Sequence, residues 1–368
     1  MKILWFAHRD IKHPSAGGAE RTIYEVGRRL AALGIDVNLV CVNPGNLLNY
    51  EIVDGIKTHR IIGNLRTHLK VNKMIKKINP DIIIDDMGHA LPWCSSCFTK
   101  KEVIVFFHHL HARSLPGQVN IILAKIITFI EKMYPFIYKN NTFVTESTTS
   151  EDDLIYLGIK KENIVRIFPG VDLNLFHSEE KTKNVQLVYF GGLRKYKRPE
   201  YAIKVYENLY KEIKNLKLVI TGDGPLLNNM KEYIKNKNYN IEFLGKINYS
   251  ELSKIIRESW INLHFSITEG WGYSLLESSA SGTPSVAFKV PGVVDTIKDN
   301  YNGFLVNDLN EFKDRILYII KNESEFSLNS RKFAENFNWD KTADMWYELL
   351  NKKWESDQVK PVLDYKGD

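Results

Sequence analysis

Short apolar runs alternate along the chain with longer stretches whose apolar positions recur at helical spacing. Residues 2–7 (KILWFA) read as a buried strand. A polar loop with Pro14 and the pair Gly17-Gly18 follows, and Ile23, Val26 and Leu30 then mark one face of a helix over about 19–33, closed by Gly34. Strands are predicted at 36–42 (DVNLVCV), 81–85, 102–107 and 142–145, with a basic helical stretch at 70–77 whose polar face would meet solvent. Residues 164–168 are apolar and run into the turn Pro169-Gly170-Val171-Asp172.

The alternation restarts after a polar segment, 178–184 (SEEKTKN), read as linker. Strand 186–190 runs into Gly191-Gly192, with a helix from about Pro199. Strand 218–221 runs into Gly222-Asp223-Gly224-Pro225, and 241–244 into Gly245. Runs at 260–265, 285–288 and 303–306 complete the set. The stretch 338–354 reads as one amphipathic helix anchored by Trp339, Trp346 and Leu350. The pattern predicts an α/β protein of two facing Rossmann-like domains, 1–172 and 185–337. Residues 173–184 would link them, a helix at 338–356 would cross back to the first domain, and 357–368 would be a tail. In such sheets ligands bind beyond the carboxyl ends of strands, where Gly17, His108, Gly191, Gly222 and Glu269 all fall.

Composition narrows this only slightly. A chain of 368 residues suits two domains, and a net charge of +6 spread along it suits an anionic small molecule or an anionic membrane surface. No aromatic RNA-binding signature or helix-turn-helix pattern points to nucleic acid. The pair Cys94 and Cys97 lacks the second pair that a zinc site needs, so reduced thiols in a cytoplasmic protein are expected. The chain opens on a strand rather than a signal peptide, and the longest apolar run, 119–130, is too short to span a bilayer and carries Lys125. Within it Ile121, Ile122, Ile126, Ile127 and Ile130 form a stripe, with Lys125 and Lys132 nearby. Burial against the domain explains such a stripe most simply, and a lipid-linked acceptor would use the same surface.

The stretch with the most chemistry is 268–283 (TEGWGYSLLESSASGT). If a helix begins near Tyr273, Glu277 projects from its second turn while Glu269 stays on the loop before it. Gly270 and Gly272 let backbone N–H groups come close to a ligand, and a helix N-terminus favours phosphate. This layout suits a ligand with a sugar at one end and a ribose at the other. Taken singly, Glu277 is also what the helix dipole favours near a helix start, and Glu269 is also an ordinary loop charge.

At this point the chain resembles the retaining glycosyltransferases of family 4, with the GT-B fold. The resemblance rests on an ordered set: GGAER at 17–21, FPGVD at 168–172, GDGP at 222–225, FLGKI at 243–247, EGWGYSLLE at 269–277, SGTPSVAF at 281–288, and VPGVVDTIKDNYNGFLV at 290–306. One position departs from the pattern. Gly192 stands where the family usually has a basic residue, while Lys197 matches the lysine that follows, and Arg194 is the candidate substitute.

The resemblance implies transfer of a hexose from a nucleotide-diphosphate sugar to a hydroxyl of a glycan, glycolipid or lipid-linked sugar, with retention of configuration. It implies Glu269 and His108 at the reacting sugar, His108 as a hydrogen-bonding partner rather than a nucleophile. The donor would be held by Gly17, Gly18, Arg194, Lys197, Gly270, Trp271, Gly272, Tyr273, Ser274 and Glu277, with Trp271 either stacking on the ligand or packing between domains. Asp295 is read as a loop residue on the donor side. The sequence has no Asp-x-Asp motif, so no metal and no further cofactor are expected, and cations and backbone amides would neutralise the diphosphate. The acceptor would sit on the first domain, near the Gly17 loop and residues 118–140, with peripheral contact to the cytoplasmic membrane face. Two other activities fit the same architecture: a nucleotide-sugar 2-epimerase, and a non-catalytic sugar-nucleotide binder.

Overall fold

The computed structural model describes residues 1–114 and 120–358, so the end of the tail and residues 118–119 of the acceptor-side stretch lie outside the described residues. Two sheets organise it. In the first, the strands are β1 (Lys2–Phe6), β2 (Asp36–Asn43), β3 (Tyr50–Val53), β4 (Ile56–Ile62), β5 (Ile82–Asp86), β6 (Glu102–Phe107), β7 (Thr142–Thr145) and β8 (Ile164–Arg166), in the order β3-β4-β2-β1-β5-β6-β7-β8. The second holds β9 (Gln186–Phe190), β10 (Lys217–Thr221), β11 (Ile241–Gly245), β12 (Ile261–His264), β13 (Ser285–Phe288) and β14 (Gly303–Val306), in the order β11-β10-β9-β12-β13-β14. All pairings are parallel except β3 with β4. Parallel strands covered by helices on both faces read as continuous apolar runs, which is why the chain showed them so plainly.

The antiparallel hairpin is absent from the sequence reading although its signal is there. Asp54 and Gly55 both have positive φ, 46° and 87°, the turn that lets two twisted strands reverse over two residues. The strand Ile56–Ile62 was hidden by Lys57, His59 and Arg60 interrupting its apolar positions.

Each face of the first sheet buries its own core. On one face, Trp5, Val26 and Leu30 of β1 and helix Gly18–Ala32 pack with Trp346, Leu349 and Leu350. The last three belong to helix Trp339–Gln358, which follows the second domain in sequence. The chain thus crosses between domains twice, and the crossings lie side by side: Val171 N donates to Phe337 O at 3.2 Å and Thr342 Oγ1 to Phe168 O at 2.9 Å. The opposite face packs Phe6, Trp93 and Phe107 against Val71, Ile75, Tyr134 and Tyr138.

The segment 178–184 has no regular structure, yet it is not a free linker. Phe176 is buried in the second domain's core, and Lys181 Nζ reaches Thr283 Oγ1 at 2.7 Å and Arg257 O at 3.0 Å. Burial lowers that ammonium to about pKa 8. A polar composition concealed a lysine that caps carbonyls of the second domain, so the crossing sits near residues 167–171 instead.

The apolar stripe of Ile121, Ile122, Ile126, Ile127 and Ile130 is buried only in part: Ile127 and Ile130 are half-buried, Ile130 against the first domain's core, and the expected burial fails at the other three. Helix Ile121–Lys132 leaves Ile121, Ile122, Ile126 and Phe129 exposed, and its buried residue is Glu131, which accepts from the backbone N–H groups of His111 at 2.6 Å and Ala112 at 3.2 Å.

Candidate active site

Between the carboxyl ends of the two sheets lies a cleft of about 490 Å³, a size suited to a small-molecule ligand. Its walls combine the Gly17-Gly18 loop and the ends of β6 and β7 from the first domain with the Gly191-Gly192 turn, Lys246-Ile247 and the Glu269–Glu277 stretch from the second.

The helix predicted to open at Tyr273 does so, spanning Tyr273–Ala280. Gly272 precedes it at φ 86°, a left-handed conformation in which a side chain would also press on Thr296 Oγ1 at 3.1 Å. The backbone N–H groups of Tyr273 and Ser274 therefore stand at a helix start that borders the cleft. Gly270 and Gly272 line the same wall.

Glu269 accepts from Lys197 Nζ and from Ser266 Oγ at 2.5 Å, and His264 Nε2 lies 3.1 Å away, all at Oε1. Burial by itself would raise this carboxyl, but Lys197 and His264 together hold it well below the usual carboxylate range. Glu277 differs. Burial raises it to about pKa 7, and Arg21 pulls only weakly the other way. Glu269 and Glu277 thus sit in opposite regimes, one held in its charged form and one raised towards neutrality.

His108 lacks the free nitrogen that the role implied for it by the resemblance requires. Both ring nitrogens of His108 are taken, Nδ1 by Glu146 Oε2 and Nε2 by Asp86 Oδ2, each at 2.8 Å. Burial would discharge the ring, but the two carboxylates outweigh it and keep His108 an imidazolium. It has no nitrogen left for a sugar. His109 is the imidazole on the Glu269 side: a Cβ placed on Gly270 would meet its Nδ1 at 3.4 Å. Burial lowers it to about pKa 3, so it is neutral and can both donate and accept.

Glu146, at the end of β7, also holds the domains together. Its Oε1 accepts from Thr22 Oγ1 at 3.0 Å and from Tyr273 Oη at 2.6 Å, and Tyr273 also bonds Thr22. Gly18 completes the contact, since any Cβ there would overlap the Tyr273 ring. The Tyr273 hydroxyl is therefore an interdomain tie rather than a donor-binding group. Asp295 plays a similar part, accepting from Thr148 N at 3.1 Å and Thr148 Oγ1 at 2.5 Å.

Two further expectations change. Trp271 is 1 % exposed and packs on Phe168 and Phe337, with ring centroids 5.1 and 5.5 Å away, so its indole is core and not a stacking platform. Arg194 is exposed and not part of the cleft wall, whereas Lys197, Gly17, Gly18, Ser274 and Glu277 are. The cation that sequence reasoning passed over is Arg21, which lies 4.3 Å over the Tyr249 ring and acts on Glu277. Its signal was helical spacing: Arg21 falls on the same face as the Gly17-Gly18 loop.

Comparison with known proteins agrees with this architecture. A model of glycosyltransferase family 4 matches residues 16–175, and one of glycosyl transferases group 1 matches residues 172–337. An uncharacterised glycosyltransferase of Haemophilus influenzae is 25% identical over 91% of this chain and 97% of its own length. One from Methanocaldococcus jannaschii is 32% identical over 57% of this chain, which spans only 55% of that relative's length. Among solved structures, sucrose-phosphate synthase from Thermosynechococcus elongatus superposes with a TM-score of 0.82 at 19% identity, covering 96% of this chain and 99% of that one. The matches run in order through both domains, and the chain belongs to the group 1 and family 4 glycosyltransferases, built on the GT-B fold.

Proposed function

We propose that this protein transfers a hexose from a nucleotide-diphosphate sugar to a hydroxyl of a glycan or lipid-linked acceptor, with retention of configuration and without a metal ion. The observation that carries the reading is the Lys197–Glu269 pair set beside a helix start and Glu277 in one cleft. Lys197, kept charged by Glu269 against its burial, and the Tyr273 and Ser274 N–H groups receive the diphosphate. Glu277 accepts from the ribose hydroxyls, and Glu269, its Oε1 already occupied, offers Oε2 to the sugar. His109 faces the sugar in place of His108. On this reading the leaving phosphate oxygen takes the acceptor proton on the departing face, so no side chain need act as nucleophile. A fold neighbour, Anabaena Alr3699/HepE, is described in complex with UDP-glucose, which makes a uridine donor the first to try.

The test is a thermal-shift screen of UDP-, GDP- and ADP-sugars followed by turnover with a chelator present. A ligand at about a hundred times its Kd adds ~2.7 kcal/mol of stability. No stabilisation by any donor, or turnover abolished by the chelator, would refute the reading in its respective half. Product formed from the donor alone would indicate the epimerase.

Glu277 supplies a pH signature. A carboxyl raised to about 7 holds its proton below that pH and loses it above. Ribose binding needs the carboxylate, so donor affinity is expected to weaken as pH falls below about 7, by up to tenfold per unit. Calorimetric titration across that range checks it, and Glu277→Gln should bind more weakly and flatten the profile.

A further inference from the structure

A row of imidazoles leads away from the sugar side of the cleft across the first domain. His109 and His111 follow β6, His89 follows β5, His8 follows β1, and His68 stands on the helix Asn64–Leu69 that follows β4. All lie beyond carboxyl ends of strands in the first sheet, where ligands of such sheets bind. Ring centroids of His109 and His111 are 4.8 Å apart, and those of His8 and His89 are 3.4 Å apart. Gly88, on the cleft wall, joins the two pairs: its carbonyl accepts from His89 Nδ1 at 2.7 Å and lies 3.3 Å from His111 Nε2. With Nδ1 donating, Nε2 is the atom of His89 that takes up a proton. His68 stacks on the buried Trp93 ring at 4.1 Å. The outer three, His8, His68 and His89, are half-buried and have no part in the donor contacts.

The charges around this cluster are of one sign. Those that bear on His8 are Arg9 and, when protonated, His13 and His68; those on His89 are His8, His111, Arg9 and His68. Burial and these cationic neighbours hold His8 at about pKa 4 and His89 at about 3, and burial lowers His68 as well, so the rings are neutral near pH 7. The neighbouring acids are already paired. Asp10 holds Arg60 at 2.5 Å, Asp86 holds His108 at 2.8 Å, and Glu131 is buried against His111 and Ala112. Glu20 accepts from Gly17 N at 2.7 Å and lies 3.9 Å from Arg9. Arg9 Nη1 donates to Ser15 O at 3.0 Å, while its buried Nε has no hydrogen-bond partner. An arginine with an unused N–H, set beside imidazoles ready to take protons, is an environment that favours an anion.

We propose that His8, Arg9, His68 and His89 form a subsite for an oxyanion, a phosphate or a carboxylate, carried by the acceptor beside the hydroxyl that receives the sugar. The row of rings supplies the geometry: His109 faces the donor sugar, and the outer imidazoles meet whatever extends from the acceptor along the first domain. The rings take up protons as the anion arrives, so the ligand's charge is met without a standing cluster of positive charges in the empty site. The donor's diphosphate is the other anion at hand, but its contacts lie across the cleft at Lys197 and the helix start at Tyr273, and neither His8 nor His89 borders the cleft. The inference rests on the reading of the cleft as a donor site facing an acceptor on the first domain, and adds the acceptor's charge to it.

The test is calorimetric titration of the protein, without donor or acceptor, using sulfate, inorganic phosphate and acetate, with the histidine ring resonances followed by NMR. Sulfate keeps its charge throughout, so any pH dependence belongs to the protein. Because the anion raises the imidazole pKa values, binding favours the protonated rings, and sulfate affinity should tighten by up to about tenfold per unit as pH falls from about 8 to about 6. Proton uptake should appear as a dependence of the measured heat on the buffer, and the His8 and His89 resonances should shift. The double variant His8→Asn with Arg9→Gln should lose about tenfold or more in sulfate affinity, while thermal midpoint and UDP-sugar binding stay unchanged. If that variant unfolds, proton uptake and ring shifts in the wild type decide alone. Preference for phosphate or for acetate at pH 6 tells which oxyanion the acceptor carries. No anion bound, binding without proton uptake or change at His8 and His89, or sulfate displaced by UDP would each overturn the proposal. Donor binding is measured separately, so its failure would count against the donor reading and not be confused with failure of this subsite.

Discussion

Lys197→Ala is expected to lower kcat/KM by about 10²–10³, the range seen when one preorganised group that stabilises developing charge is removed. On the proposed reading, with Gly192 bearing no cation and Arg194 outside the cleft wall, Lys197 and Lys246 are the second-domain cations that border the cleft, and Lys197 is the one paired with Glu269. The same change strips Glu269 of its counter-ion in a largely buried site, with a stability cost of up to about 3 kcal/mol. Adding Glu269→Gln to Lys197→Ala separates the two effects. Without the stranded charge, urea midpoints should recover while turnover does not. Recovery of both would reduce Lys197 to a structural partner of Glu269.

Trp346→Ala should give the largest loss of stability, about 3–5 kcal/mol by urea unfolding, as for other buried tryptophans cut to alanine. Trp346 is 1 % exposed, and its ring lies 5.2 Å from those of both Trp5 and Phe106. It is the central contact by which the last helix fills the first domain's core. Because that helix starts beside Gly170, where a Cβ would overlap the backbone of Trp339, loosening it also frees the relative position of the two domains. Turnover is therefore expected to fall more than nucleotide affinity, since the proposed donor contacts lie mainly on the second domain. An unchanged midpoint would show that the helix merely rests on the surface.

The expectations that failed share a cause. Side chains at successive positions leaving a strand point to opposite sides, so the letters HH at 108–109 do not say which ring keeps a nitrogen free for a ligand. The choice was made by Asp86 and Glu146, brought to His108 from the ends of β5 and β7. Arg21 drew no role of its own from the sequence; helix Gly18–Ala32 places it against Tyr249 and Glu277. For Trp271 the sequence left stacking on a ligand and aromatic packing both open, and the convergence of Phe168 and Phe337 decides for packing. In helix Ile121–Lys132 the periodicity was read correctly as a stripe, but periodicity states that one face is apolar and not which way it turns.

By itself the sequence determined whatever depends on neighbours along the chain. Apolar runs ending in glycine turns specify parallel strands, and the spacing of Glu269 and Glu277 about Gly272 places one acid on a loop and the other on the helix beginning at Tyr273. Tertiary structure alone decided charge state and exposure: Glu269 ionised beside Lys197, Glu277 raised by burial, His108 locked between carboxylates, and Ile122 turned to solvent. Those properties arise from groups distant in sequence and adjacent in space, where desolvation and Coulomb forces act over a few ångströms and spacing along the chain carries no record of them.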